Sequence, residues 1–126
     1  MAPRYRLTAH YLGRLSELTV NLWYRAQGYR VRDSNWRTRG GELDLVLSKD
    51  HKIVFVEVRG RRGCGLVSAL ESFDERKRYH FERCALYYLH RHGLMAANAR
   101  MDFAGVTWIG LRPRIEVIKN VTRFDD

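Results

Sequence analysis

The sequence predicts an α/β fold, a mixed sheet of four or five strands flanked by helices. Two long stretches, near residues 8–27 and 72–92, place apolar residues at helical spacing. Between them, residues 41–47 and 53–59 read as strands rich in Val, Leu, Ile and Phe, joined by the polar break Ser48-Lys49-Asp50-His51-Lys52. A chain of 126 residues with 45% hydrophobic and 12% aromatic content can bury one core and is too short for two domains. One domain over residues 1–126 is expected, its core at roughly 8–120.

Thr8 is placed to cap the first helix, which runs to about Gln27 and stops at Gly28. Tyr11, Leu15, Leu18, Leu22 and Ala26 give it an apolar stripe expected to be buried. Glu17 lies beside that stripe with Arg14 and Asn21 at helical spacing, pointing either along the core edge toward the sheet or into solvent. A short strand from Tyr29 to about Trp36 follows, then a basic loop, Arg37-Thr38-Arg39-Gly40-Gly41. After the central hairpin, Gly60-Arg61-Arg62-Gly63-Cys64-Gly65 reads as a mobile basic loop suited to gripping phosphate.

Ser72-Phe73-Asp74-Glu75 matches a capping box, and the helix it opens runs to His92 with Gly93 as its stop. Phe81, Ala85, Tyr88 and Leu89 form its core side, and Lys77 falls one turn before Phe81 on that side. Its ammonium can reach inward or snorkel to the surface, while Arg76, Arg78 and Arg83 fan outward. Residues 100–103 and 106–109 suggest a strand or hairpin, and 114–118 a last edge strand.

Charge placement carries the functional signal. In a strand, side chains alternate faces, so Ile53, Phe55, Glu57 and Arg59 share one side. Antiparallel pairing brings Asp44 onto the face of Glu57 and Arg59 at the far end of the hairpin. Two carboxylates at a half-buried sheet end repel each other and lose hydration unless a counter-charge holds them. A divalent metal supplies that charge; the alternative is an ion pair of Arg59 with Asp44 or Glu57 that closes the sheet end.

Net charge is +9, which favours a polyanionic partner. Residues 42–58 carry two Lys and four acids, whereas residues 1–41 carry eight Arg and two acids. An acidic island in a basic chain suits metal-assisted chemistry on phosphates better than plain polyanion binding. No apolar run approaches membrane-spanning length and the N-terminal residues lack a signal-peptide core, so a cytoplasmic protein is expected. Cys64 and Cys84 fit no metal or disulfide spacing and read as reduced thiols. His90 and His92 diverge on their helix, and no Ser or Cys sits in a nucleophile setting.

The order helix, strand, strand with Asp44, strand with Glu57-Val58-Arg59, helix, strand resembles the core of the restriction-endonuclease-like, or PD-(D/E)XK, nucleases. More closely, the chain resembles the small bacterial YraN family, relatives of archaeal Holliday-junction resolvases. Gly13, Glu17, Gly28-Tyr29, Asn35, Arg37, Gly41-Glu42-Leu43-Asp44, residues 55–59, Lys77 and residues 100–103 carry the likeness. The resemblance implies a Mg²⁺- or Mn²⁺-dependent endonuclease acting on DNA, branched or structured DNA included. It implies Asp44, Glu57, the Val58 carbonyl and Glu17 as metal ligands, with Glu42 as an outer ligand or an acceptor behind them. Arg59 and Lys77 join Asp44 and Glu57 as catalytic groups, and Arg37, Arg39, Arg61, Arg62, Arg76 and Arg78 contact nucleic acid.

The nuclease pattern usually ends in Lys, where this chain has Arg59; arginine stays protonated, so it stabilises negative charge and does not accept a proton. The alternative reading is a non-catalytic nucleic-acid-binding module on the same fold. Related junction-cutting enzymes are dimers, which makes a homodimer the expected assembly under the resemblance.

Overall fold

A computed structural model describes residues 8–63 and 74–121, which form two helices and five strands. Helix α1 (Ala9–Arg25) starts where Thr8, in extended backbone, accepts the Tyr11 N–H on its hydroxyl. Strands β1 (Arg30–Thr38), β2 (Gly41–Lys49) and β3 (Lys52–Arg62) make an antiparallel meander. Asp50 and His51 form the β2–β3 turn, both at positive φ, the twist a two-residue hairpin requires. Helix α2 (Glu75–Arg91) then crosses to β4 (Asn98–Ile109), which pairs in parallel with β3 from Lys52↔Asn98 to Arg62↔Trp108. Strand β5 (Arg112–Ile118) returns antiparallel along β4. The sheet order β1-β2-β3-β4-β5 is mixed, as expected.

The sheet is covered on both faces. Val46, Ile53, Phe55, Met101 and Phe103 pack against Phe81, Cys84, Ala85, Tyr88 and Leu89 of α2. Leu45, Leu47, Val54, Val56, Val58, Ala104 and Val106 pack against Leu12, Val20 and Tyr24 of α1. Burial on both sides explains why the central strands read as nearly continuous apolar runs. No helix of the described residues is long and apolar enough to cross a membrane.

The expected buried stripe of α1 is wrong by a rotation. Tyr11, Leu18 and Leu22 are more than half exposed, Ala26 lies in the exposed turn after the helix, and Leu15 is only partly covered. Leu12, Ser16, Val20 and Tyr24 face the sheet instead. The cause is close approach: a methyl group at Gly60 would collide with the Ser16 side chain and lie 3.3 Å from the Leu12 carbonyl oxygen. Only a small residue fits there, and Ser16 satisfies its hydroxyl by donating to the Leu12 carbonyl at 2.7 Å and accepting the Trp108 indole N–H at 2.8 Å.

Other boundaries also shift. Arg37 and Thr38 belong to β1, leaving Arg39 and Gly40 as a tight turn. Gly60, Arg61 and Arg62 are strand, not loop, because Val106, Thr107 and Trp108 of β4 pair with them; Cys64 and Gly65 lie outside the described residues. Residues 100–103 and 106–109 are one continuous strand. Asp74 caps α2, its carboxylate accepting the Lys77 N–H at 2.9 Å; Ser72 and Phe73 lie outside the described residues.

Candidate metal centre

The site forms where β2 parts from β3. The backbone ladder between them runs from Lys49↔Lys52 to Leu45↔Val56, and one residue on the Asp44 side chain takes over, accepting the Val58 N–H at 2.8 Å. At the same point β2 breaks its alternation: Leu43 packs on the α2 side while Leu45 and Leu47 pack on the α1 side. Across β1, Asn35 lies between the pairs Ser34↔Leu45 and Trp36↔Leu43 with φ 52, a conformation Asn tolerates better than most residues. These irregularities set Asp44 in the seam of the sheet, 7% exposed, within reach of both faces.

Carboxylate oxygens of Glu17 from α1 and of Glu42 and Asp44 from β2 lie within 4.8 Å of one another. Glu17 thus points to the sheet, and Asn35 hydrogen-bonds to it. On the α2 side, Glu57 hydrogen-bonds to Asp44 and pairs with Arg59 at 3.4 Å. Lys77, although exposed, lines a cavity of about 170 Å³ with Glu42, Glu57, Arg59, His80, Phe81 and Cys84. Glu42 thus lies in the same 4.8 Å group as Glu17 and Asp44. His80 and Cys84 line the site without any sequence signal beyond falling one and two turns after Lys77.

Titration follows from crowding. Burial, then repulsion from Glu57, Glu17 and Glu42, pushes Asp44 up to about 9, against the pull of the Val58 N–H. Burial raises Glu57 too, opposed by Arg59, the Asp44 hydrogen bond and Lys77. Glu17 is raised by burial, while Asn35 and Arg14 oppose the shift and Glu42 adds to it. Burial and mutual repulsion thus favour the protonated forms within the Asp44–Glu57 pair.

This donor set fits a hard divalent cation. Four carboxylates converge, three of them mutually close, and their nearest cations are Arg37 on Glu42 at 3.2 Å and Arg59 on Glu57. Arg37 is largely exposed, so water screens its charge. Oxygen-only ligands suit Mg²⁺ or Mn²⁺ and disfavour softer ions.

The arginines expected to contact nucleic acid fall in different settings. Arg39 stands free in the β1–β2 turn, beside Gly41 at the Lys77 cavity. Arg76 is exposed in the first turn of α2, whereas Arg78 is partly buried and pairs with Glu75 at 3.2 Å. Arg61 and Arg62 extend β3 past Arg59. Asp102 is fully buried and apart from this group, held by the Tyr24 hydroxyl at 2.7 Å, Arg100 at 3.0 and 3.2 Å and the Asn120 N–H at 3.0 Å. His80 and His90 of α2 are exposed, and His92, the cap just past the helix, stacks its ring on Tyr88 at 3.9 Å.

Comparison with known proteins agrees with the resemblance at family level. Residues 16–119 match the family described as "Uncharacterised protein family UPF0102". The chain is 35% identical over 116 residues to a UPF0102 protein of Moorella thermoacetica, covering 90% of this chain and 96% of that one. It is 36% identical over 115 residues to one of Marinobacter nauticus, covering 90% and 94%, and 39% identical over 110 residues to one of Ectopseudomonas mendocina, covering 86% and 92%.

Proposed function

The chain belongs to the UPF0102, or YraN, family, and on that premise we propose that it is a Mg²⁺- or Mn²⁺-dependent endonuclease of restriction-endonuclease-like fold, hydrolysing phosphodiester bonds in DNA, structured DNA included. The observation that carries this reading is Asp44, buried in the sheet seam among the carboxylates of Glu17, Glu42 and Glu57. A purely structural carboxylate cluster gains nothing from that repulsion, and one counter-charging ion removes it.

Asp44 and Glu57 would hold the ion, with Glu17, Glu42 and the Val58 carbonyl as further oxygens. When bound, it supplies Lewis acidity toward a phosphate oxygen and lowers the pKa of a bound water. Asp44 would hold it as the carboxylate, so binding would compete with its protonation. The Arg59 guanidinium stabilises charge growing on the phosphate, and Lys77, approaching from α2, brings a second cation to the same cavity. Arg39, Arg61, Arg62 and Arg76 draw in the DNA backbone, with Arg37 and Arg78 free to exchange their carboxylate partners for phosphates.

The Glu57–Arg59 pair supports a second reading, a nucleic-acid-binding module whose acids are neutralised internally. Incubation of labelled single-stranded, duplex and four-way-junction DNA with Mg²⁺, Mn²⁺ or EDTA separates the two. Metal-dependent cutting that Asp44→Asn and Glu57→Gln abolish supports the nuclease; unchanged binding with no cutting in any metal leaves the binding module.

A further inference from the structure

Beside the carboxylates, α1 and β1 enclose a second cavity of about 380 Å³, within the roughly 300–1,000 Å³ range of small-molecule pockets. Its walls divide by chemistry. Tyr11, Leu15, Leu18 and Leu45 form the apolar part; Asn21, Asn35 and Ser34 supply amide and hydroxyl groups; Arg14 adds a guanidinium, and Glu17 is shared with the metal-site group. Tyr11 and Leu18 are 60% and 53% exposed, although α1 has a closely packed face elsewhere. Asn21 lines the cavity, and its side-chain oxygen is buried with no hydrogen-bond partner among the described residues, so a small shift of the amide would be needed to offer it to a ligand.

We infer that this cavity receives one unpaired nucleobase of the substrate, adjacent to the phosphate presented to the carboxylates. The inference rests on the reading of those carboxylates as a phosphodiester site, and it extends that reading to the kind of DNA taken. A base is flat, apolar on its faces and polar at its edge, and the cavity offers the matching parts: an aromatic ring and leucines for the faces, amides with both donor and acceptor for the edge. Arg14 at the same wall adds a guanidinium able to engage a phosphate of the same strand. A base paired and stacked in a duplex cannot enter, so bulged, frayed or junction nucleotides are favoured.

The test uses the intact protein in EDTA, where binding is read without cutting. A duplex carrying a single bulged 2-aminopurine and its fully paired counterpart are titrated with wild type, Tyr11→Ala and Leu18→Ser, substitutions of exposed side chains that leave the packed face of α1 intact. The expected result is about tenfold tighter binding of the bulged DNA by wild type, with a change in 2-aminopurine emission, and loss of most of that preference in both variants. Equal binding of the two DNAs by wild type, or a preference that both variants keep, overturns the inference. Addition of Mg²⁺ afterwards is scored separately: an intact bulge preference without cutting contradicts the nuclease while sustaining the base pocket, and cutting without any preference does the reverse.

Discussion

The Asp44 carboxylate accepts the Val58 N–H at 2.8 Å, at the position where backbone pairing between β2 and β3 has just ended. A side chain has replaced a carbonyl in the ladder, so the acid is held rigidly and brought within reach of Glu17, Glu42 and Glu57. Rigidity and crowding together are the properties a metal centre needs before the metal arrives.

Crowding makes stability depend on pH. The folded protein holds the Asp44 proton up to about 9, against an ordinary value of 3.8, so this contribution is complete below about 3.8 and is lost as pH rises toward 9. Glu57 and Glu17, also raised, act in the same direction. Thermal melting of the metal-free protein should fall by on the order of a few degrees per pH unit between pH 5 and 9. Asp44→Asn should flatten that slope, and Mg²⁺ should raise the melting temperature more at pH 8.5 than at pH 5.5.

The two cations of the Glu57 cavity should each contribute to turnover. Lys77→Gln should lower kcat by about 100-fold with metal affinity little changed, the loss typical of one group that stabilises transition-state charge. Arg59→Lys keeps the charge and should retain most of the activity, whereas Arg59→Gln should lose it to a similar extent as Lys77→Gln. Single-turnover cleavage across the three variants checks this.

Asp102 is a structural acid. Its oxygens are engaged by Tyr24, Arg100 and the Asn120 N–H, and Arg100 continues to the Tyr29 hydroxyl at 3.1 Å. Tyr24→Phe should cost about 1–2 kcal/mol and Asp102→Ala about 3–5 kcal/mol, the second because it strands a partly buried guanidinium. Denaturant titration measures both; cleavage per folded molecule should be unchanged in Tyr24→Phe.

Much of this arrangement is legible in the sequence. Alternation in residues 53–59 places Glu57 and Arg59 on one face, where they pair, and helical spacing places Lys77 with Phe81, where both line the Glu57 cavity. Caps and the hairpin follow from local chemistry at Thr8, Asp50 and His51. What was not legible depends on contacts distant in sequence. The rotation of α1 is set by Ser16 meeting Gly60, and apolar periodicity alone cannot rank a serine above a leucine as the buried residue. Gly60, Arg61 and Arg62 have loop composition and become strand because β4 offers a partner. Likewise Glu42 joins Asp44 because β2 loses its alternation at Asp44, a break that strict period-two reasoning excludes.

Calorimetric titration of the EDTA-treated, dialysed protein with Mn²⁺ at pH 7.5, beside Asp44→Asn and Glu57→Gln, addresses the carboxylate site most directly. One site per chain in wild type, weakened at least tenfold in each variant and accompanied by proton release from Asp44, is the predicted result. No binding by wild type, or binding that both variants retain undiminished, would contradict a metal centre at these residues.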